Sequence, residues 1–254
     1  MSLTAEEEPQ EEVWVKVRSR KGRRSQKKSG SAQPASVSST LPQGPNAPSL
    51  SLAQVQQDHD RLTGSWKSSS SYERLQELLS SHAASLGSRV TTAICFGLGT
   101  LDPHDGAWEQ KRKAHIQLAA FLTIVEHLQS QASHHIRCIF QDPIMNSVDK
   151  AFIVSLGYEV VESPIGFQLV DSETLAFGVH LYRDIYSQVI ATAIPAMFVG
   201  TSYGTWEDFH SGEDLDWARM KQLDQLCVKA KFPENQGDTS FSSTVIHWRQ
   251  TEPS

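Results

Sequence analysis

Residues 94–105 read ICFGLGTLDPHD, an apolar run that passes into a loop containing Gly97 and Gly99. With the preceding residues, RVTTA, the run is β-branched and apolar, which is typical of a strand buried in a sheet. A glycine-containing loop between a buried strand and a helix is a common nucleotide site in α/β proteins. It is also a common way to turn the chain. The local sequence fits both a nucleotide site and a simple turn, so other parts of the chain are needed to decide between the two interpretations.

Helical and strand patterns alternate around this loop. Apolar positions at helical spacing predict a helix over residues 72–86, before the strand. The elements predicted after it are a helix over 107–129, a strand over 136–140, a helix over 146–156, strands over 158–161 and 174–179, a helix over 182–190, and strands over 196–199 and 241–248. A further helix is predicted after a capping box at 211–214, with Met220, Leu223 and Cys227 on one face. This alternation predicts an α/β fold with a three-layer, Rossmann-like and mostly parallel sheet.

The N-terminal quarter of the chain has a different composition. Residues 19–65 are rich in Ser, Pro, Gln and Ala, a composition that buries too little apolar area to offset the entropy of ordering. We therefore predict a disordered tail over residues 1–65 and an α/β domain over residues 66–254. Within the tail, Trp14 and its valine neighbours in EEVWVKV are an exception and predict a short strand or a docking element.

Charge divides the chain in the same way. Residues 16–28 hold eight Lys or Arg and no acid, whereas residues 29–254 hold 15 basic residues against 24 acidic ones. An acidic domain is a poor general binder of nucleic acid, so such binding is expected only through the basic run. The run is either a solvated tail, a nuclear-import patch, or an arm that contacts nucleic acid or an acidic protein partner. Its central residues are Arg18, Arg20, Arg23 and Arg24.

The sequence composition also indicates the cellular compartment in which the protein is expected. No apolar run approaches the roughly 20 residues of a membrane helix, and the first residues lack the features of a secretory signal. The three cysteines lie far apart, which favours buried free thiols in a reducing compartment. No histidine pair has metal-ligand spacing with an acid or cysteine, so no metal site is expected. The sequence therefore predicts a cytoplasmic protein, with the basic run as the feature that favours an additional nuclear location.

Glycines and polar residues follow several of the predicted strands. Because the carboxyl ends of parallel strands meet at one edge of a sheet, we expect Gly97, Gly99, Asp142 and His180 to lie together where the strand order reverses, with Ser202 as a further candidate on that edge. The dinucleotide fingerprint is incomplete, because G-L-G-T-L-D lacks the third glycine and the following acid. The loop is thus a bare turn or an anion or nucleotide site.

The individual polar candidates each leave two alternatives open. Asp142 either contacts a ligand or forms an Asx-type turn before the next helix. His180 is either a base or ligand contact, or a hydrogen-bonded structural histidine. No catalytic nucleophile or complete catalytic set can be identified, and no cofactor is indicated by the residues alone.

Ordered blocks of the sequence resemble the sensitivity-to-red-light-reduced (SRR-like) family. The blocks are CFGLGT, KAHIQLAAFLTIVEHL, FQDPIM, LGYEVVE, SETLAFGVHLY and FVGTSY, which together cover residues 90–203. The N-terminal EEVWVKVRSRKGRR and the late strand FSSTVIHW also resemble the family pattern. Departures occur at residues 178–181, where the family has a Met-Pro-His-Cys type phrase, at 184–195, which is shorter, and at 200–202, where the family has Gly-Asn-Ser.

The resemblance implies a regulatory function rather than a defined reaction. Family members are linked to the circadian clock and light signalling in plants, and to clock-gene expression and haem biosynthesis in animals. For this chain the resemblance therefore implies a regulatory protein that acts through protein partners. The alternative is an enzyme or sensor that binds a nucleotide or S-adenosylmethionine at the edge defined above.

Overall fold

The computed structural model describes residues 49–82, Leu86, 89–208 and 216–250. All of these belong to one compact unit, residues 44–254. The predicted disorder of residues 1–48, the basic run at 16–28 and the capping box predicted at 211–214 lie outside the described residues. No helix in the described ranges is long and apolar enough to cross a membrane.

The central sheet has seven strands in the order β3-β2-β1-β4-β5-β7-β6. The strands are β1 Thr92–Phe96, β2 Arg137–Gln141, β3 Glu159–Val160, β4 Thr174–Gly178, β5 Met197–Thr201, β6 Cys227–Lys231 and β7 Thr244–Arg249. Strands β1 to β5 pair in parallel, while β7 runs antiparallel to both β5 and β6. The predicted α/β fold with a mostly parallel sheet is confirmed.

Helices cover both faces of the sheet. They are α1 Leu52–Lys67, α2 Ser70–His82, α3 Trp108–Gln131, α4 Ser147–Ser155, α5 Ile165–Gln168, α6 Arg183–Ala191, α7 Tyr203–Asp208 and α8 Trp217–Leu226. One apolar core joins α1, α2, α3 and α4 to one face of the sheet. A second core joins α5, α6 and α8 to the other face. Two cores separated by one sheet produce the three layers that the alternating pattern predicts.

Helix α1 corrects the predicted boundary of the tail. Ser51 and Gln54 form a capping box at its start, and Val55, Leu62 and Trp66 are buried. The prediction of a tail up to residue 65 is therefore wrong for residues 49–65. The helix is rich in Gln and Asp, and its one histidine, the buried His59, occupies the position where the apolar spacing would continue. A polar composition thus concealed a regular 3.6-residue pattern.

Strand β6 is a further element that the sequence did not predict, as are the short helices α5 and α7. The sequence places Cys227 on one face of a helix with Met220 and Leu223, but α8 ends at Leu226 and Cys227 begins β6. The stretch CVKAK alternates apolar and charged residues, which is the period of a strand at the edge of a sheet. Asp216 caps α8 by accepting from the Arg219 amide at 2.9 Å.

The three cysteines are free and buried, as predicted. Burial raises the pKa of Cys138 and of Cys227 to about 12. Both thiols are therefore protonated at neutral pH, and the thiol is a weaker nucleophile than the thiolate.

Candidate functional site

The strand order reverses between β1 and β4. From β1 the chain moves outward to β2 and β3 on one side, and from β4 to β5 on the other. Loops that leave two such neighbouring strands diverge, and the crevice between them is the usual ligand position in open α/β sheets. Here the two loops are residues 97–107 after β1 and residues 179–182 after β4.

A pocket of about 300 Å³ lies in this crevice. Four of the five candidates from the sequence line it: Gly97, Gly99, Asp142 and His180. The remaining lining residues are Phe96, Gln141, Pro143, Ile144, Ser163, Phe167, Leu181, Tyr182, Asp184 and Ile185. The structure therefore brings these four candidates to one cavity at the reversal of strand order.

Ser202 lies elsewhere. It follows β5, which is separated from β1 by β4, so it is one strand away from the crevice. Its hydroxyl pairs with that of Thr205 at 2.9 Å and accepts from the Thr205 amide at 3.2 Å. The expectation that Ser202 shares the same site is therefore not met, because its side chain caps the start of α7. The arginine patch, Arg18, Arg20, Arg23 and Arg24, lies outside the described residues.

Gly97 makes room for a leucine from the neighbouring loop. Its φ is +63°, and a Cβ on it would lie 2.4 Å from Leu181 Cδ2. A Cβ on Gly178, at the end of β4, would lie 2.3 Å from the other methyl group of the same leucine. Leu181 therefore fills the space between the ends of β1 and β4, which explains the glycine that follows β1 and the glycine that ends β4.

Asp142, which directly follows β2, anchors the loop after β1 by a hydrogen bond. One carboxylate oxygen accepts from the Gly99 amide at 2.7 Å, and the other accepts from the Ile144 amide at 2.9 Å. The second bond is the Asx-type turn that the sequence predicts. The bond to Gly99 is a cross-strand contact that only the fold reveals. Asp142 is nearly buried, at 9% exposed, so both oxygens are engaged inside the protein.

Two further carboxylates fix the same loop, and sequence reasoning missed both. Asp149 accepts from the Leu101 amide at 3.0 Å and from the Asn146 amide at 2.9 Å. Burial raises the pKa of Asp149 above its ordinary value, against the opposing effect of its hydrogen bonds. Its signal in the sequence was the N-x-x-D spacing of a capping box at the start of α4.

Asp102 ties the loop to the segment before α1. Its carboxylate accepts from the Leu50 amide at 2.8 Å and from the Ser49 hydroxyl at 2.9 Å. The Gly97 amide, in turn, donates to the Gln141 carbonyl at 3.2 Å. The amides of Gly97, Gly99 and Leu101 therefore all have acceptors within the protein. A loop with its amides engaged in this way does not offer them to a phosphate.

His180 has an unusual backbone conformation. Its φ is +56°, a value that residues with a side chain rarely adopt. The exposed imidazole places Nε2 at 3.0 Å from the Ser242 carbonyl oxygen, so Nε2 carries the hydrogen in this bond. The bond joins the loop after β4 to the segment before β7.

The rim of the pocket is apolar and exposed. Tyr182 is 82% exposed, Ile144 63% and Ile165 45%, which are high values for such large side chains. Tyr182 and Ile144 line the pocket, and Ile165 precedes its lining residue Phe167 by two positions. Among the lining side chains, the carboxylates are Asp142 and Asp184, and the basic group is His180. The pocket thus combines an apolar surface with acidic groups.

Comparison with known proteins identifies the family. The sequence model of the SRR1 domain family matches residues 73–248. The chain therefore belongs to the SRR1 domain family, and the resemblance found in the sequence is confirmed. None of the curated proteins matches the chain significantly.

Two solved structures give weak matches to the chain. Cofactor-bound Rv0187 from MTB has 11% identity and a TM-score of 0.37, and the match covers 77% of this chain and 89% of that one. Thermoplasma acidophilum 1320 has 10% identity and a TM-score of 0.36, with 78% and 98% covered. At these scores no function transfers to this chain.

Proposed function

We propose that this SRR1 domain protein is a regulatory protein that works by binding, and that its pocket at the strand-order reversal holds a small ligand. The ligand would have an apolar body and a neutral or positively charged polar group. The observation that carries this proposal is the pocket itself, which combines an exposed apolar rim with two carboxylates. Links to clock-gene expression and haem biosynthesis rest on the family resemblance and belong to the proposal.

The size and position of the pocket support a ligand. Pockets for small molecules are usually about 300–1,000 Å³ and mostly apolar with a few polar groups. The pocket here is about 300 Å³, which places it at the small end of that range. Its place at the reversal of strand order is the position where open α/β sheets hold ligands.

The charge of the site favours some ligands over others. A nucleoside di- or triphosphate would bring negative charge close to Asp142 and Asp184, and the amides of Gly97 and Gly99 already have acceptors. Like charges this close oppose binding. Of the two ligands predicted from the sequence, S-adenosylmethionine, with its cationic sulfonium, fits better than a nucleotide with phosphates. An uncharged nucleoside would avoid the same repulsion.

A thermal-shift series with the full-length protein tests the proposal. The ligands are S-adenosylmethionine, adenosine, ATP and haem, and a ligand at 100 times its Kd stabilises the folded state by about 2.7 kcal/mol. We expect stabilisation by S-adenosylmethionine or adenosine and none by ATP. Failure of every ligand in the series would argue against this ligand class.

Two variants test whether a stabilising ligand binds in this pocket. Asp184→Asn removes a charge at the rim and should weaken the response to a cationic ligand. Glu73→Gln is the matched control, because Glu73 is an exposed acid in the first turn of α2, away from the pocket. An equal response of both variants would place the ligand elsewhere.

The second part of the proposal concerns the basic run at residues 16–28 and its binding partners. We propose that Arg18, Arg20, Arg23 and Arg24 provide nuclear access or contact an acidic protein partner. Replacing all four with Gln should change the location of the protein or its set of partners in pull-downs, without a change in melting temperature. Unchanged location and partners would leave the run as a solvated tail.

A further inference from the structure

A buried glutamine lines the pocket at the reversal of strand order. Gln141 ends β2 and is 3% exposed. Its Oε1 accepts from the Gly166 amide at 2.6 Å. Because a backbone amide can only donate, this bond fixes the orientation of the side-chain amide. Oε1 faces α5, and the NH₂ group of Nε2 faces the other way.

The NH₂ group of Gln141 has no acceptor among the residues that the structure describes. It is nevertheless not one of the fully enclosed unpaired polar atoms of those residues, so Nε2 keeps contact with open space. Since the side chain is otherwise surrounded by protein and lines the pocket, that open space is the pocket. Buried donors in proteins normally have an acceptor, and here the acceptor can come from a ligand.

A second glutamine shows the arrangement that a purely structural role produces. The half-buried Gln129 accepts from the Ile136 amide at 2.8 Å through Oε1, as Gln141 does from its own partner. Its Nε2 then donates to the His134 carbonyl at 2.7 Å, so both ends of the side chain are used within the protein. Gln141 is more deeply buried but makes the first bond without the second.

Backbone amides near Gln141 already have acceptors. The Gly97 amide donates to the Gln141 carbonyl at 3.2 Å, and the Gly99 amide donates to Asp142 at 2.7 Å. The Gly166 amide is the one that donates to Gln141 Oε1. The NH₂ group of Gln141 therefore remains as an enclosed donor that a ligand can use.

Two stacked phenylalanine rings lie beside this donor. Phe96 and Phe167 both line the pocket, with ring centroids 5.2 Å apart and 12° between the ring planes. A Cβ on Gly166 would lie 2.8 Å from Gln141 Oε1 and 3.1 Å from Phe96 Cε1, so glycine lets α5 approach both side chains closely. Aromatic side chains next to the donor favour a flat, unsaturated ring in the ligand over an aliphatic chain.

We propose that Gln141 is the specificity-determining donor of the pocket, and that the ligand carries a planar unsaturated ring with an uncharged hydrogen-bond acceptor, either a ring nitrogen or a carbonyl oxygen. This inference rests on the proposed function and specifies the enclosed end of the ligand. A positively charged group of the same ligand would lie at the rim, near Asp184. A ring with C–H in place of the acceptor leaves the NH₂ group unpaired, so it binds more weakly.

A matched pair of fragments tests this inference with the full-length protein. N-methylbenzimidazole has a ring nitrogen acceptor where N-methylindole has C–H, and both are uncharged at mildly alkaline pH. In NMR titrations followed at the Gly99 and Asp184 amides, we expect N-methylbenzimidazole to bind about five- to tenfold more tightly, the effect of one hydrogen bond. It should also shift the NH₂ signals of Gln141, whereas N-methylindole should not. N-methylindole is the more apolar fragment, so hydrophobic binding by itself would give the opposite order.

Gln141→Glu removes the donor and keeps the rest of the side chain. Glutamate still offers an oxygen to the Gly166 amide but has no NH₂ group, so the preference for N-methylbenzimidazole should disappear. Gln129→Glu is the matched control, because it makes the same change at a glutamine that does not line the pocket. This control should keep the full preference. If Gln141→Glu does not fold, the fragment pair and the NH₂ signals of the native protein decide.

The fragment pair distinguishes failure of this inference from failure of the proposed function. Equal Kd values for the two fragments, with shifts at Gly99 and Asp184, would overturn the role of Gln141 and leave the proposed function standing. A preference that survives Gln141→Glu would overturn that role as well. If neither fragment shifts these amides, the pocket takes no ring of this class and the inference is wrong, while the thermal-shift series decides the proposed function separately.

Discussion

Replacing Asp142 with asparagine tests whether this carboxylate holds the loop after β1. The two oxygens accept from the Gly99 amide at 2.7 Å and the Ile144 amide at 2.9 Å, and the side chain is only 9% exposed. Asparagine keeps one acceptor oxygen, but its NH₂ group then faces one of the two amides. A hydrogen bond to a charged group contributes about 1.5–3 kcal/mol, so we expect the free energy of unfolding to fall by about 2 kcal/mol.

Urea unfolding measures this loss, and Asp171→Asn is the matched control. Asp171 accepts from the Glu173 amide and from the Thr174 hydroxyl, both at 2.8 Å, but it is exposed and bonds only within its own turn. Water can replace those bonds, so this substitution should cost less than about 1 kcal/mol. The two variants differ in burial and in the cross-strand contact.

Amide exchange localises the effect. In Asp142→Asn the Gly99 amide should exchange faster, while the Gly97 amide, which bonds to the Gln141 carbonyl at 3.2 Å, should change less. If Asp142→Asn costs no more than Asp171→Asn, or if exchange at Gly99 is unchanged, the carboxylate does not fix the loop. The interpretation of the loop as internally braced would then be wrong.

Substitutions at Gly97, His180 and His115 test other contacts of the fold. Gly97→Ala should cost more than about 2 kcal/mol in urea unfolding, because φ is +63° and the new Cβ would lie 2.4 Å from Leu181 Cδ2. Adding Leu181→Ala should recover part of that cost in a double-mutant cycle. His180→Ala should lose about 1 kcal/mol with its hydrogen bond to the Ser242 carbonyl. His180→Gly should be more stable than His180→Ala, because glycine tolerates a φ of +56°. Burial lowers the pKa of His115 to about 3. Between about pH 6.5 and 3, the unfolded chain therefore binds a proton at this histidine that the folded chain does not. The free energy of unfolding then falls as the pH drops through this range, by up to about 1.4 kcal/mol per pH unit. His115→Phe should flatten that fall in unfolding experiments across this pH range, while the exposed-site variant His104→Gln should leave it unchanged.

The parallel part of the sheet could be predicted because its strands carry their own signal. Strands β1, β4 and β5 are buried on both faces, so their sequences are continuous apolar runs. Strand β6 has no such run, because Lys229 and Lys231 face solvent at the sheet edge. Helix α1 was missed for a related reason, since His59 stands at a buried position of an otherwise polar helix.

The candidate site could be predicted only in outline. Strand ends share an edge in a parallel sheet, and this rule alone placed Gly97, Gly99, Asp142 and His180 near one another. The rule does not say how far along the edge a residue lies, so it also included Ser202, which is one strand too far. Contacts between loops, such as Leu181 against Gly97, depend on side-chain directions that no sequence spacing encodes.

The loop after β1 illustrates how a turn can also build a site. A phosphate-binding loop leaves its amides free and lets glycine bring the backbone close to the anion. In this protein the Gly99 amide donates to Asp142 and the Leu101 amide donates to Asp149. Gly97 has no side chain, and the space beside it is filled by Leu181. The loop therefore contributes a fixed wall to the pocket and few hydrogen-bond donors. For the ligand proposed above, selectivity would then come from the apolar rim and the carboxylates, so the charge of the ligand is the property that the thermal-shift series varies.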